Sequence, residues 1–246
     1  MHSKRNALRN HFEYAAKKAL GSPWVKTLSV LGATYGGRLC SMERTAARYL
    51  PDRLSMKSLR EAAARCRGCD LYKFATQAVF GEGGVRSKVV FIGEQPGDVE
   101  DRTGHPFVGP AGTLLRNAMT QAGIDPKSAY ITNAVKHFKF VERGKRRIHQ
   151  KPKTIEIQAC EPWLEAELRV LHPQVVVALG ATAAQALLGS AFRLTKHRGE
   201  MLSSPLAARV LATVHPSAIL RAPDGETRRR EMGKFLDDLC QIASLL

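Results

Sequence analysis

The residues able to do chemistry fall in five short clusters. "CRGC" sets Cys66 and Cys69 two residues apart, the spacing of a metal or cluster clip or of a redox pair. "GEQPGDVEDRTGHPFVGPAG" places Glu94 and Gln95 ahead of a Pro-Gly turn and Phe107 after His-Pro. "TNAVKHFKF" carries Asn133 and His137, and "HPSAILR" carries His215 and Ser217. "GKRRIHQ" puts Lys145, Arg146 and Arg147 directly ahead of Ile148 and His149. Asparagine donates and accepts at once. Histidine serves as ligand, proton carrier or nucleophile. Arginines and lysines suit phosphate. On residue type alone Phe107 reads equally as a core aromatic, Asn133 as a strand-end cap, and KRRIH as a solvated basic loop. The acids Asp98, Glu100 and Asp101 fall so close together that they read as a solvated face rather than as a hydrolytic pair.

These clusters need a frame. "KVVFIG" (88–93), "AYITNAV" (129–135), "QVVVALG" (174–180) and "RVLATV" (209–214) are short β-branched apolar runs, the pattern of buried parallel strands. Helical stretches separate them: "AGTLLRNAMTQAG", "TIEIQACEPWLEAELRVL" and "ATAAQALLG", with "REMGKFLDDLCQIASLL" closing the chain. An earlier helix, "SLREAAARC", has Ser58 and Glu61 at capping-box spacing. The expected fold is α/β: three layers, with a central four-stranded parallel sheet between helices. Ligands bind such sheets at the carboxyl ends of the strands. Each of the four runs is followed there by a polar cluster or, in "GATAA", a small-residue turn read as close helix–strand packing. Neither a P-loop nor a G-x-G-x-x-G opening a helix is present, so a nucleotide cofactor is not expected.

The balance of 38 Lys and Arg against 22 Asp and Glu, a net charge of +16, points to a polyanionic partner, nucleic acid before a membrane surface. No apolar run is long enough to span a bilayer. Five cysteines, an odd number, and no secretory signal argue for a reducing cytoplasm. Residues 1–52 read as a basic extension, helical or partly disordered, suited to contacting DNA, with Met42 or Met56 as alternative starts. The domain is then 53–246, expected as a monomer.

Taken together, "GEQPGDVEDRTGHPFVGPAGTLLRNAM", "TNAVKHFKF", "KRRIH" and "HPSAILR" closely resemble the uracil-DNA glycosylase superfamily. Within it they resemble the iron–sulfur branch near family 4, and KRRIH resembles the signature of the UdgX type. The resemblance spans roughly Leu59 to the C-terminus, and residues 1–52 lie outside it. It implies a [4Fe–4S] cluster and recognition of uracil in DNA, single strands preferred.

Carried onto this chain, the resemblance makes Phe107 the platform on which the extruded base stacks. Asn133 meets uracil O4 and N3–H, and the Gln95 backbone amide is a further contact to the base. His215 hydrogen-bonds uracil O2, where charge develops as the glycosidic bond breaks. Ser217, Lys145, Arg146 and Arg147 meet phosphates. Cys66, Cys69 and Cys160 ligate the cluster, with His137 standing where family 4 has a further cysteine. The same four ligands would suit zinc, and the resemblance alone selects iron. His149, oriented by Glu94, attacks C1′ in place of water and leaves a covalent adduct.

Overall fold

The computed structural model describes residues 45–246, so most of the expected basic extension lies outside the described residues. The extension's expected end at residue 52 lies inside the folded body. Ala46–Tyr49 forms a 3-10 turn, and Ala46 is fully buried in a cluster with Leu59, Cys66 and Trp163.

In chain order, helix α1 (Met56–Ala63) precedes strands β1 (Glu82–Gly83) and β2 (Val89–Gly93). Helices α2 (Asp98–Thr103) and α3 (Pro110–Gln121) lead to β3 (Ala129–Asn133). A hairpin follows, β4 (Phe140–Arg143) and β5 (Arg146–His149), then α4 (Thr154–Leu171) and β6 (Val175–Leu179). The rest is α5 (Ala181–Leu188), α6 (Leu194–His197), β7 (Met201–Ser204), β8 (Ala207–Thr213), α7 (Pro216–Leu220) and α8 (Gly225–Ala243). No described helix is long and apolar enough to cross a membrane.

The four expected strands form the parallel centre, in the order β3-β2-β6-β8. The sheet is nonetheless six-stranded and mixed, because β1 and β7 add antiparallel edges. Alternating side chains divide the core in two. Phe91, Val177 and Leu211 pack with Leu115 of α3 and Phe235 and Leu239 of α8. Val90, Ile92, Val176 and Val210 face Leu164 and Leu168 of α4 and Ala183 and Leu187 of α5. Two apolar faces on one sheet make the three layers.

Two local readings shift. The capping box of α1 lies three residues earlier than expected. Ser55 accepts from the Ser58 N–H at 3.1 Å, and Ser58 Oγ accepts from the Ser55 N–H at 3.1 Å. KRRIH is the second strand of a hairpin rather than a loop: Phe140 pairs with His149 and Arg143 with Arg146, around a Gly144–Lys145 turn.

Candidate active site

The register of the parallel strands puts their carboxyl ends side by side. Gly93 pairs with Asn133 and Leu179 with Thr213. A cavity of about 680 Å³ opens at that edge. Glu94, Gln95, Phe107, Asn133, His149, His215 and Ser217 all line it, and so does Thr182 from the small-residue turn. Residues drawn from five separate stretches of sequence thus meet in one place.

Its floor is buried. Asn133 is 2% exposed, and its Oδ1 has no hydrogen-bond partner in the protein. A buried acceptor left open is costly unless a ligand supplies a donor. Phe107 packs beside it, 5% exposed, with its ring centroid 5.7 Å from that of His215. Its backbone is left-handed (φ 56°), a strained conformation for an aromatic residue. Two glycines permit this. A Cβ on Gly112 would lie 1.6 Å from Phe107 O, and one on Gly93 would lie 2.4 Å from Asn133 Oδ1 and 2.6 Å from Phe107 Cζ. Arg116 Nη1 donates to Phe107 O at 2.5 Å and closes the turn.

His215 caps α7, its Nδ1 accepting from the Ser217 N–H at 3.2 Å and pairing with Ser217 Oγ at 2.8 Å. With Nδ1 accepting, the ring proton of the neutral imidazole is on Nε2. Burial lowers the His215 pKa to about 4, so the ring is neutral at pH 7. Across the cavity, His149 Nε2 is 3.3 Å from Glu94 Oε1, and Thr182 Oγ1 donates to Glu94 Oε2. Burial alone would raise the Glu94 carboxyl. The hydrogen bonds from His149 and Thr182, with both nearby imidazoles, hold it below the ordinary carboxylate range.

The hairpin carrying His149 is tied down by residues to which sequence reasoning gave other roles. The Gln95 side chain clamps the hairpin's base, its Nε2 donating to Gln150 O at 2.9 Å and its Oε1 accepting from the Lys139 N–H at 3.0 Å. Arg147, expected on phosphate, turns inward. It bonds Asp98, reaches Asp101 Oδ2 at 2.7 Å and lies 4.9 Å over the Phe140 ring. Arg146 and Lys145 remain exposed, as phosphate contacts require. Two of the three acids are therefore no solvated face: Asp101 is fully buried, and Glu100 accepts from the Gly97 and Gly109 N–H groups at 3.1 and 2.8 Å, closing the loop that holds Phe107. The sequence signal for this was available, since acids in the first turn of a helix are natural caps.

The thiols lie to one side. Cys66 and Cys160 are buried and Cys69 half-buried in a single cluster of the core. Main-chain N–H groups of Gly68 and Lys136 donate to Cys66 Sγ at 3.4 Å and Cys160 Sγ at 3.2 Å. Burial, with charge from the neighbouring thiols, raises Cys69 to about 11 and Cys160 to about 12. His137 is 4% exposed, and burial lowers it to about 4, the neutral form that binds metals. Among the described residues, no three His, Cys, Asp or Glu side chains close into a ready metal-holding group. The buried thiols, with amides aimed at sulfur, still match what a thiolate-bound cluster needs.

The family model described as the uracil DNA glycosylase superfamily matches residues 80–240. A type-4 uracil-DNA glycosylase of Thermotoga maritima is 37% identical over 175 residues, covering 71% of this chain and 88% of the relative. One of Pyrobaculum aerophilum is 33% identical over 177 residues, covering 69% and 87%. A type-5 uracil-DNA glycosylase of Thermus thermophilus is 29% identical over 220 residues, covering 82% and 94%. With the match running from before β1 into α8, through every element that lines the cavity, the chain belongs to the uracil DNA glycosylase superfamily.

Proposed function

We propose that this protein excises uracil from DNA and is then captured on its product through His149. The observation that carries the reading is the pairing of His149 with Glu94 at a cavity whose floor presents the open Asn133 Oδ1. Uracil N3–H supplies the donor that this oxygen lacks, and cytosine offers a lone pair there instead. The base leaves the stack and lies against Phe107. As the C1′–N1 bond breaks, its electron pair departs with uracil. The negative charge on O2 meets the Nε2–H of His215. An imidazole lone pair of His149 then bonds C1′, and Glu94 balances the positive charge left on the ring. Lys145 and Arg146 hold phosphates, whereas Arg147 holds the hairpin in place and Ser217, expected on phosphate, spends both its donors on His215 Nδ1.

Cys66, Cys69 and Cys160, with His137, would hold a [4Fe–4S] cluster whose contribution is to clamp the segments behind the cavity. Purified protein is expected to be brown, with about four irons per chain. A colourless, zinc-loaded and fully active preparation would refute that assignment.

The test of the whole reading is a denaturing gel of protein incubated with uracil-containing single strands. The wild type is expected to give a shifted band that survives denaturant, and mass spectrometry is expected to place the added mass on His149. His149→Ala is expected to lose the band. His149→Ser, which leaves room for water, is expected to release alkali-cleavable abasic DNA over repeated turnovers. The His149 side chain is 51% exposed, which favours water access and makes a conventional multiple-turnover glycosylase the second reading. Wild-type protein that turns over without a stable band establishes the second. Salt-sensitive binding with no excision reduces the protein to a metal-stapled DNA-binding module.

A further inference from the structure

Beneath Asn133 lies a group of polar side chains that the steps above do not use. Lys136 and Glu167 form an ion pair at 2.5 Å, with side chains 1% and 0% exposed. Every bonding position is filled. Lys136 Nζ also donates to Thr132 Oγ1 at 2.7 Å and to Asn133 O at 2.8 Å. Glu167 Oε1 accepts from Tyr130 Oη at 2.8 Å, Thr132 Oγ1 at 3.0 Å and the Gly81 N–H at 3.2 Å. The Lys136 ammonium sits 5.4 Å over the Phe80 ring. Its own main-chain N–H is the one that donates to Cys160 Sγ.

A buried ion pair is a poor device for stability. Desolvation consumes much of the attraction, and an apolar pair of equal volume often serves as well. What it provides here is direction. Asn133, with its main-chain carbonyl, ends β3. Lys136 takes that carbonyl. The Ala134 and Val135 N–H groups meanwhile donate to Gly93 O and Glu94 O at 2.9 and 3.0 Å. The turn that carries the base-reading amide is thus fixed to the β2 end that carries Glu94.

We propose that Lys136 and Glu167 are positioning residues that set the Asn133 amide for uracil by fixing its main-chain carbonyl. The proposal rests on the uracil-excising reading above. It also assigns Lys136 a buried, non-DNA role, whereas the other cations among the described residues are mostly exposed.

The experiment separates positioning from support. Lys136→Met alone leaves Glu167 charged, buried and unpaired, and is expected to lower Tm sharply. Lys136→Met with Glu167→Gln removes both charges while leaving an acceptor for Tyr130, Thr132 and Gly81, and is expected to recover most of the lost Tm. Single-turnover uracil excision by the double variant is expected to stay at least about tenfold below wild type, as a displaced reading group demands. Its binding to uracil-free single strands is expected to be unchanged. A double variant that excises at the wild-type rate overturns the proposal. If the double variant does not fold, Thr132→Val tests the same network through one lost hydroxyl. Slower excision with a small change in Tm supports the proposal, and an unchanged rate overturns it. Wild-type protein that excises no uracil defeats the functional reading instead, so the two failures are told apart.

Discussion

The floor of the cavity and the hairpin at its mouth are held in opposite ways. Asn133 ends a strand inside a four-stranded parallel centre, is 2% exposed at the cavity floor, and rests on the filled network of Lys136 and Glu167. His149 ends a two-stranded hairpin whose strands are mostly exposed, attached through Arg147 and the Gln95 clamp. A lone hairpin is at best marginally stable in water, so its place depends on those few bonds. Telling two bases apart needs groups that do not yield. Reaching a sugar that arrives with its phosphates needs a group near solvent. The contrast predicts that damage to the floor removes recognition, whereas damage to the hairpin removes capture and spares recognition.

The largest effect is expected at the floor. Asn133→Asp exchanges the amide donor for a carboxylate, and excision of uracil is expected to fall about 10²–10³-fold. Unchanged selectivity and rate in single-turnover assays would take Asn133 out of the site. Arg147→Ala is expected next, slowing formation of the denaturant-stable band about 10-fold or more through a loosened hairpin. Its excision rate and the salt dependence of its binding are expected to stay near wild type. A flattened salt slope would return Arg147 to the phosphate contacts.

Acidity probes the same contrast from below. The folded pKa of His215, about 4, lies below its unfolded value of about 6.5. Between those values the unfolded chain binds more protons, so stability rises with pH and is lost as pH falls from about 6.5 towards 4. Over that window His215→Gln is expected to lose stability less steeply than the wild type, by up to about 1 kcal/mol per pH unit. Parallel denaturation curves would place His215 outside the buried floor. The smallest effect is expected from Arg146→Ala, a modest loss of affinity for any single strand, with the salt slope reduced by about one.

What was legible in the sequence follows the reach of each signal. The four central strands were readable because a strand buried on both faces is an unbroken β-branched run, as in "VVVAL". The edges were not: β1 is the two residues Glu82–Gly83, and β7 alternates without an apolar run. The lining residues were named through long contiguous motifs, and they do meet in one cavity. The bonds that place them link residues far apart in the chain. Arg147 finds Asp98 and Asp101 across 49 and 46 positions, and Lys136 finds Glu167 across 31. No local pattern shows that a basic residue in a basic run faces inward, or that a lysine inside "VKHF" is buried with its charge paired. Thr182 was passed over for the same reason, since a small-residue turn shows packing but not the carboxylate it meets.

The two edges of the sheet carry a consequence for how copies of this chain meet. An open strand edge is a row of unmet amides and carbonyls that invites a second sheet to continue it. Here one edge is only two residues long, and the other is broken by a register shift between Leu202 and Ser204. Neither offers a straight template of useful length. Copies of this chain brought close together therefore lack a long edge on this sheet along which to pair strand by strand.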